Sequence, residues 1–455
     1  MSESSAERAD ARVGIVGGGL AGLAAAAMLV ENGFRVALFE SRQKLGGRAA
    51  SFRDPETDQW IDHCQHVGMG CCTSLIDFWR RTGIEDRFIR HQVIHFIGPD
   101  GERADLNAVR WLPVPLHLAP SLWRMKFLTV RQRIGLTRCL LRLKRSDDDR
   151  DGLHSRTMDE WLAEQGQSSA VRERFWSVVL VSALGETLDR VSVAAARKVF
   201  VDGFMTSRDG YQLLVPQDSL SELYDQRLTG WLTRKGVQLH LKTAVRCVQG
   251  DGKKVTHIET TDGNLHEFDA VIAAVPWRQV DSVLAEPVRA ALPNLAEISK
   301  IKSSPITAVH LWYDRSITDM PHAVLVGRLS QWLFNRGRHG DEHYYQVVIS
   351  ASRELPRGDR HGVITQVCNE LASLWPAARD ARLLRSRLVT DPHAVFSIAP
   401  GIDSFRPTQV TPIGNFFLAG DWTATGWPAT MEGAVRSGHL AAEGVLALSL
   451  PELSH

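Results

Sequence analysis

Residues 13–40 read VGIVGGGLAGLAAAAMLVENGFRVALFE, a segment that few folds can accommodate. Positions 13–16 are a short apolar run of the kind a strand covered on both faces requires. Gly17, Gly19 and Gly22 satisfy G-x-G-x-x-G. Residues 23–30 are alanine-rich and helical in pattern, Gly33 stops them, and 34–39 form a second buried strand closed by Glu40. Gly17 permits a tight turn, Gly19 lets the backbone approach a pyrophosphate, and Gly22 lets helix and strand pack closely. The helix start at Leu20 and Ala21 offers free N–H groups and the positive end of its dipole. Glu40 stands 18 residues after Gly22, where a carboxylate accepts hydrogen bonds from a ribose, with Ser41 beside it. The order strand, glycines, helix, strand, acid predicts a dinucleotide site.

The rest of the composition narrows the class. The chain has 455 residues, enough for two or three domain-sized cores. Fifty-three basic residues balance 52 acidic ones, so no global field draws in nucleic acid, and no such partner is expected. Six cysteines in so long a chain form no disulfide framework, and a reducing, cytoplasmic setting is expected. The opening MSESSAERADAR has no signal-peptide apolar region, and no run of 18 apolar residues predicts a membrane span. No metal site is expected.

Leu45-Gly46-Gly47-Arg48 follows Glu40 closely. Two glycines expose backbone N–H groups, and the arginine supplies a forked permanent charge suited to a pyrophosphate. With the preceding motif, this resembles the flavin-containing amine oxidase and phytoene desaturase superfamily. That resemblance implies FAD, held in an α/β Rossmann-type domain of glutathione-reductase type, with an inserted substrate domain of antiparallel sheet plus helices. It also implies that Val245 packs its backbone on the adenine, that Gly420 and Asp421 bind the ribityl–phosphate arm, and that a helix starting at Thr430, Met431 and Ala434 faces the flavin. No second G-x-G-x-x-G occurs, so no built-in NADPH site is expected, and no cysteine within 420–430 offers covalent attachment. FAD is therefore expected to be bound non-covalently.

Segments then divide the chain. Residues 1–105, 208–300 and 405–455 are expected to form the discontinuous FAD-binding unit, and 106–207 (helical) with 301–404 (sheet) the substrate unit. Residues 111–145 start with three prolines within ten residues. Eight basic and no acidic residues fall between Arg124 and Arg145, with Phe127, Val130, Ile134 and Leu141 near helical spacing. Such an element over 122–145 can lie on an anionic membrane surface, so peripheral attachment at the inner face is the expectation. SDDDRDG (146–152) reads as a linker. Thr157 and Glu160 form a capping box for a helix ending at Gly166, and 171–207 read as helical. Residues 220–232 read as a helix, and 243–277 as three strands joined by Asp-Gly turns at 251–252 and 262–263.

Three stretches sharpen the resemblance: SPITAVHLWYD (304–314), GRLSQWLFNRG (327–337) and AGDWTATGWPATMEGAVRSG (419–438). Together they resemble the hydroxysqualene dehydroxylases, the squalene-associated FAD-dependent desaturases of hopanoid synthesis. The resemblance spans nearly the whole chain and departs from the pattern at Cys64, where a glycine is expected. It implies replacement of the hydroxyl of hydroxysqualene by hydride from reduced FAD, giving squalene; the reductant of FAD is left open. Such chemistry needs an acid for the departing hydroxide, and an apolar cavity to protect the allylic cation. His66 is the first candidate acid and Asp62 the second; Trp332, Phe334 and Trp427 are candidate pocket walls, with Trp422 expected beside the ring. The competing readings are a carotenoid desaturase, an amine oxidase, which Ala308 weakens because those enzymes commonly have a lysine there, and a flavin-free prenyl-lipid-binding chaperone of the same fold.

Overall fold

The computed structural model describes residues 10–147, 151–356 and 358–448. Expectations placed on 1–9, on 449–455 and on 148–150 of the linker lie outside the described residues.

Five parallel strands form the nucleotide sheet, in the order Gln238–His240, Arg35–Phe39, Arg12–Val16, Ala270–Ala273, Phe416–Leu418. Val13, Ile15, Leu38, Val271 and Ile272 are fully enclosed, each contributing roughly 1.5–3 kcal/mol by burial. Helix Leu20–Glu31 is buried nearly all round, which explains its run of alanines. The C-terminal helix Met431–Leu446 packs directly on it. A Cβ at Gly438 would lie 2.1 Å from the Ala21 carbonyl oxygen, so the two ends of the chain meet at a backbone contact. The expected strand–turn–strand–turn–strand region is a three-stranded antiparallel sheet, Val245–Gly250, Val255–Thr260 and Leu265–Glu267, with Gly252 and Gly263 at positive φ in its turns.

A seven-stranded sheet forms the second layer, in the order Leu383–Phe396, Ser303–Tyr313, Glu342–Ser350, Trp332–His339, His322–Leu325, Ile94–Ile97, Arg103–Leu106. Its pairings are antiparallel except that of His322–Leu325 with Ile94–Ile97. Strand 94–97 and all but the last residue of strand 103–106, placed by the sequence within the 1–105 segment of the FAD-binding unit, thus belong to this other sheet. Side chains alternate between its faces. Val309, Leu311 and Tyr313 pack outward with Val363, Val367 and Leu371 of helix Arg360–Leu374. Ala308, His310 and Trp312 turn inward.

The helical layer departs from the sequence reading. The expected helix over 171–207 breaks at Gly185 (φ +65°), where a Cβ would lie 2.8 Å from Val395 Cγ2. A second run starts after Ser192, whose hydroxyl accepts the Ala195 N–H. Helix Met158–Glu164 has the expected capping box on Thr157 and Glu160. Of the basic stretch, Val130–Arg145 is one helix, capped by Thr129 and Gln132. Phe127, expected on its outward apolar face, is buried in the core instead. Among the described residues, no helix is long and apolar enough to cross a membrane.

Candidate FAD and substrate site

The glycine turn is built as its spacing predicts. Gly17 has φ +111°, and a Cβ there would lie 2.4 Å from the Ala274 carbonyl oxygen. One at Gly22 would lie 2.0 Å from the Gly17 oxygen. At Gly19 a Cβ would meet nothing within 4 Å. Gly19 is also the N-cap of helix Leu20–Glu31, with no side-chain cap and no acidic residue in the first turn. An uncapped helix start facing open space, free of acidic side chains, fits a pyrophosphate. Leu20 and Ala21 open that helix and are buried.

Glu40 organises the next strand end. Its carboxylate accepts the Gly18 N–H (2.9 Å), the Arg42 N–H (2.9 Å) and the Ser41 hydroxyl (3.2 Å). The Thr243 N–H donates to the Glu40 carbonyl (2.9 Å), which draws the strand starting at Val245 alongside. The Gly46 N–H donates to the Gly18 carbonyl (2.9 Å), and Gly19 and Gly46 form a parallel bridge. The Gly46-Gly47 loop is therefore laid against the first glycine turn, with both glycines at positive φ.

Arg48 joins the far end of the chain. Its guanidinium donates to Asp421 (2.6 Å) and to the Ala394 carbonyl (2.9 Å). Burial opposes the charge on Arg48, and the carboxylates of Asp421 and Asp391 together more than restore it. Gly420 has φ +146°, and its N–H donates to Ser437 Oγ (2.8 Å), which donates in turn to the Ala434 carbonyl (2.6 Å). Thr430 caps the C-terminal helix by accepting the Gly433 N–H (3.1 Å), and Met431 Sδ lies 3.8 Å from the Tyr224 hydroxyl. The expected cofactor residues from Gly17 to Ala434 are thus gathered from both ends of the chain into one linked region.

Several supports had no motif to announce them. Arg406 is buried and donates from one guanidinium nitrogen to the carbonyls of Asp421 (3.1 Å), Thr423 (2.7 Å) and Trp427 (2.7 Å), fixing the 421–427 loop. Glu432 accepts the Ser74 and Leu75 N–H groups (3.2 and 2.7 Å) and ties the C-terminal helix to helix Thr73–Thr82. Asp225 accepts the Leu45 N–H (3.1 Å), next to the glycine pair. A long-range arginine or carboxylate leaves no local pattern that could have pointed to these contacts.

The candidate acids look different in three dimensions. Asp62 is buried, and one of its oxygens accepts both the Ser51 hydroxyl (2.6 Å) and the Leu220 N–H (2.9 Å). That geometry anchors a loop. His66 Nδ1 lies 3.0 Å from the Cys64 carbonyl oxygen. A carbonyl only accepts, so Nδ1 carries the proton and Nε2 presents a lone pair. Burial lowers the His66 pKa, which favours this neutral, accepting form over an acid. Burial also pushes the Cys64 thiol up to about 12, so it is an inert side chain at this departure from the expected glycine.

The aromatic walls divide in the same way. Trp332 and Phe334 stack at 5.4 Å on the inner sheet face, and Trp332 donates to Ser182 Oγ (2.8 Å). Trp427 is half-buried, with the Lys198 ammonium 5.3 Å from its ring centre. Trp422, expected beside the ring, is instead fully buried and donates to the Val275 carbonyl (3.0 Å). It fills the space a Cβ at Gly420 would need, 2.3 Å from its Nε1, so it packs beneath the Gly-Asp turn.

Comparison with known proteins places this geometry. The family model of flavin containing amine oxidoreductases matches residues 20–446. The chain is 26% identical to the 15-cis-phytoene desaturase of Synechococcus elongatus, covering 96% of each chain. It is also 26% identical to the zeta-carotene desaturase of Synechocystis, covering 96% of this chain and 97% of that one. The 15-cis-phytoene desaturase of Solanum lycopersicum is 26% identical over 95% of this chain and 77% of its own. Among solved structures, the cyclohexylamine oxidase of Brevibacterium oxydans superposes with a TM-score of 0.70 at 19% identity, covering 98% and 100% of the two chains. An oxidoreductase from Methanosarcina mazei does so at 0.70 and 16% identity, covering 96% and 100%. These likenesses, added to a linked site in which the glycine turn, Glu40, Gly46-Gly47-Arg48 and Gly420-Asp421 converge, show that this chain belongs to the flavin containing amine oxidoreductase family and is an oxidoreductase whose cofactor is FAD.

Proposed function

We propose that this flavoenzyme exchanges hydride with a long isoprenoid chain. The observation that carries the reading is the pairing of an FAD site with an inner sheet face where Ala308, Trp332, Phe334 and Val348 stand together, in a chain whose named relatives are carotenoid desaturases. Bound FAD supplies hydride transfer at its ring. Around it, apolar walls exclude water and hold a hydrocarbon in place, while Arg48 and the uncapped helix start hold the anionic arm of the cofactor. Ala308 offers no amine or acid chemistry at the centre of that sheet face.

Two chemistries fall within this reading. Desaturation removes a hydride to the oxidised cofactor and a proton to a base, and the named relatives support it more than they support the other. Neutral His66, with Nε2 accepting, suits a base. Dehydroxylation of hydroxysqualene delivers hydride to carbon while the hydroxyl leaves with a proton as water. It is supported by the Gly426-Trp427-Pro428-Ala429-Thr430 and Gln331-Trp332-Leu333-Phe334 stretches. Anaerobic single-turnover assays separate the two. Oxidised holoenzyme with phytoene is expected to bleach and give a desaturated product if the first holds; pre-reduced holoenzyme with hydroxysqualene is expected to give squalene if the second holds. Inertness to both, with turnover of cyclohexylamine or putrescine, would move the chain to the amine oxidases.

We also propose that the substrate is collected from an anionic bilayer. Of the ten exposed large apolar side chains among the described residues, six fall within 111–141: Trp111, Leu116, Trp123, Val130, Ile134 and Leu141. The eight basic residues of 124–145 overlap that stretch. Apolar side chains for insertion and cations for anionic headgroups are the two requirements of interfacial binding. The protein is expected to co-sediment with phosphatidylglycerol vesicles, much less with phosphatidylcholine ones. The Trp111→Ser/Trp123→Ser variant should bind at least fivefold more weakly. Equal recovery in the supernatant with and without anionic lipid would defeat this proposal.

A further inference from the structure

One row of the inner sheet face differs from the apolar row that runs through Ala308. The register places Phe334, Gln346, His310 and Arg387 side by side across four strands. The next row is Trp332, Val348, Ala308 and Val389, which is apolar apart from the indole N–H already bonded to Ser182. Gln346 and His310 are both fully enclosed. Neither the carbonyl oxygen nor the amide nitrogen of Gln346 has a hydrogen-bond partner, and His310 Nε2 has none. His310 Nδ1 lies 2.7 Å from the Tyr344 hydroxyl, and the imidazole sits beside the stacked rings of Trp312 and Tyr344, 6.1 and 6.0 Å from their centres. Arg387 is spoken for by Asp54.

Three enclosed polar atoms without partners, on adjacent strands, are costly in a folded protein unless something supplies the missing bonds. Hydrocarbon supplies none. The two side chains are also complementary in what they offer. Nε2 of the imidazole offers one hydrogen bond, as donor or acceptor according to the tautomer that the Tyr344 hydroxyl selects at Nδ1. The Gln346 amide both donates and accepts. An alcohol oxygen accepts from one and donates to the other. Burial, with Arg387 and His63 nearby, holds the imidazole neutral with a pKa of about 3, so His310 acts as a neutral hydrogen-bonding group rather than a titrating acid.

We propose that His310 and Gln346 form a polar subsite that binds an oxygen atom on the isoprenoid chain. The pair stands between Phe334, on the candidate wall, and the hairpin Ser51–Arg53/Trp60–Asp62 that leads out of the Gly46-Gly47-Arg48 loop; Trp312 and Tyr344 pack on that hairpin through Ile61 and Phe52. Tyr344 is a positioning residue, since its hydroxyl sets which nitrogen of His310 faces the subsite. The assignment rests on the isoprenoid reading above and adds to it the residues that tell an alcohol from a hydrocarbon.

Equilibrium binding of radiolabelled hydroxysqualene and squalene to the FAD-loaded full chain tests it. The wild type is expected to prefer the alcohol by at least tenfold. Gln346→Met replaces both unpartnered atoms with an apolar chain of similar length. It should abolish most of that preference, leave squalene affinity unchanged and leave the thermal midpoint of the ligand-free protein equal or higher. His310→Phe should lose the preference as well. Equal affinity of the wild type for both ligands would overturn the subsite, as would a preference retained in Gln346→Met, or a fall in its midpoint that marks the amide as a structural bond. Binding of neither ligand would instead overturn the isoprenoid reading beneath it.

Discussion

Gly19→Ala is expected to yield a folded protein that purifies without most of its flavin. The backbone at Gly19 has φ −76° and ψ 176°, which alanine adopts freely. The added Cβ meets nothing of the protein within 4 Å, so the fold loses little beyond about 1 kcal/mol at the helix cap. That open space is where a pyrophosphate must approach the first turn of helix Leu20–Glu31. A methyl group there holds the phosphate away from the free N–H groups and should lower FAD affinity at least tenfold. The absorbance ratio at 450 and 280 nm of purified protein reports it, alongside the thermal midpoint of the apoprotein. Gly22→Val makes the opposite demand. Its Cβ falls 2.0 Å from the Gly17 oxygen, so both flavin content and stability should drop. Full flavin occupancy in Gly19→Ala would remove the glycine turn from the cofactor site.

Arg353→Met is expected to be the more damaging change to stability. Glu186 is completely enclosed just beyond the Gly185 break. Arg353 meets both of its oxygens (2.5 and 2.7 Å) and also donates to the Ser303 carbonyl (2.9 Å). Ser397 Oγ (2.5 Å) and the Thr187 N–H (3.1 Å) complete the carboxylate's shell. One ion pair therefore fastens the helical layer to the beginning of strand Ser303–Tyr313 and the end of strand Leu383–Phe396. Removing the arginine leaves an uncompensated buried charge, worth about 3–5 kcal/mol, and should lower the thermal midpoint by roughly 5–10 °C. The double variant Glu186→Leu/Arg353→Met should recover part of the loss, because no charge is then stranded. A midpoint within 1–2 °C of wild type for the single variant, about the shift of a surface substitution, would show that the pair holds nothing together.

The glycine turns were legible because their demands are local. A tight turn, a close backbone approach and a helix start each need a glycine at a fixed spacing, and residues 17–22 and 46–48 meet those needs within a few positions. Residues 419–434 were legible by resemblance. The substrate layer was harder to read. Strands 94–97 and 103–106 carry ordinary alternation, and nothing in that pattern states which sheet they join. Residues 171–207 are apolar at helical spacing on both sides of Gly185, whose left-handed backbone ends the first run, and the side chain that crowds this glycine, Val395, lies two hundred positions away. Asp62 and Trp422 were placed near the chemistry by their neighbours in sequence, yet each faces its own packing partner, Ser51 and Leu220 for the first and Val275 for the second.

By itself the sequence determined the glycine turns, which follow from backbone conformations that few residues permit, and through its resemblance the cofactor class and the family. The tertiary structure decided what no local pattern encodes: that Arg48 meets Asp421, that Arg406 and Glu186 pin distant loops, and that His310 and Gln346, thirty-six positions apart, become neighbours with unmet hydrogen bonds. Such pairings depend on strand register and on burial, and both arise only when the hydrophobic faces of many segments are satisfied together.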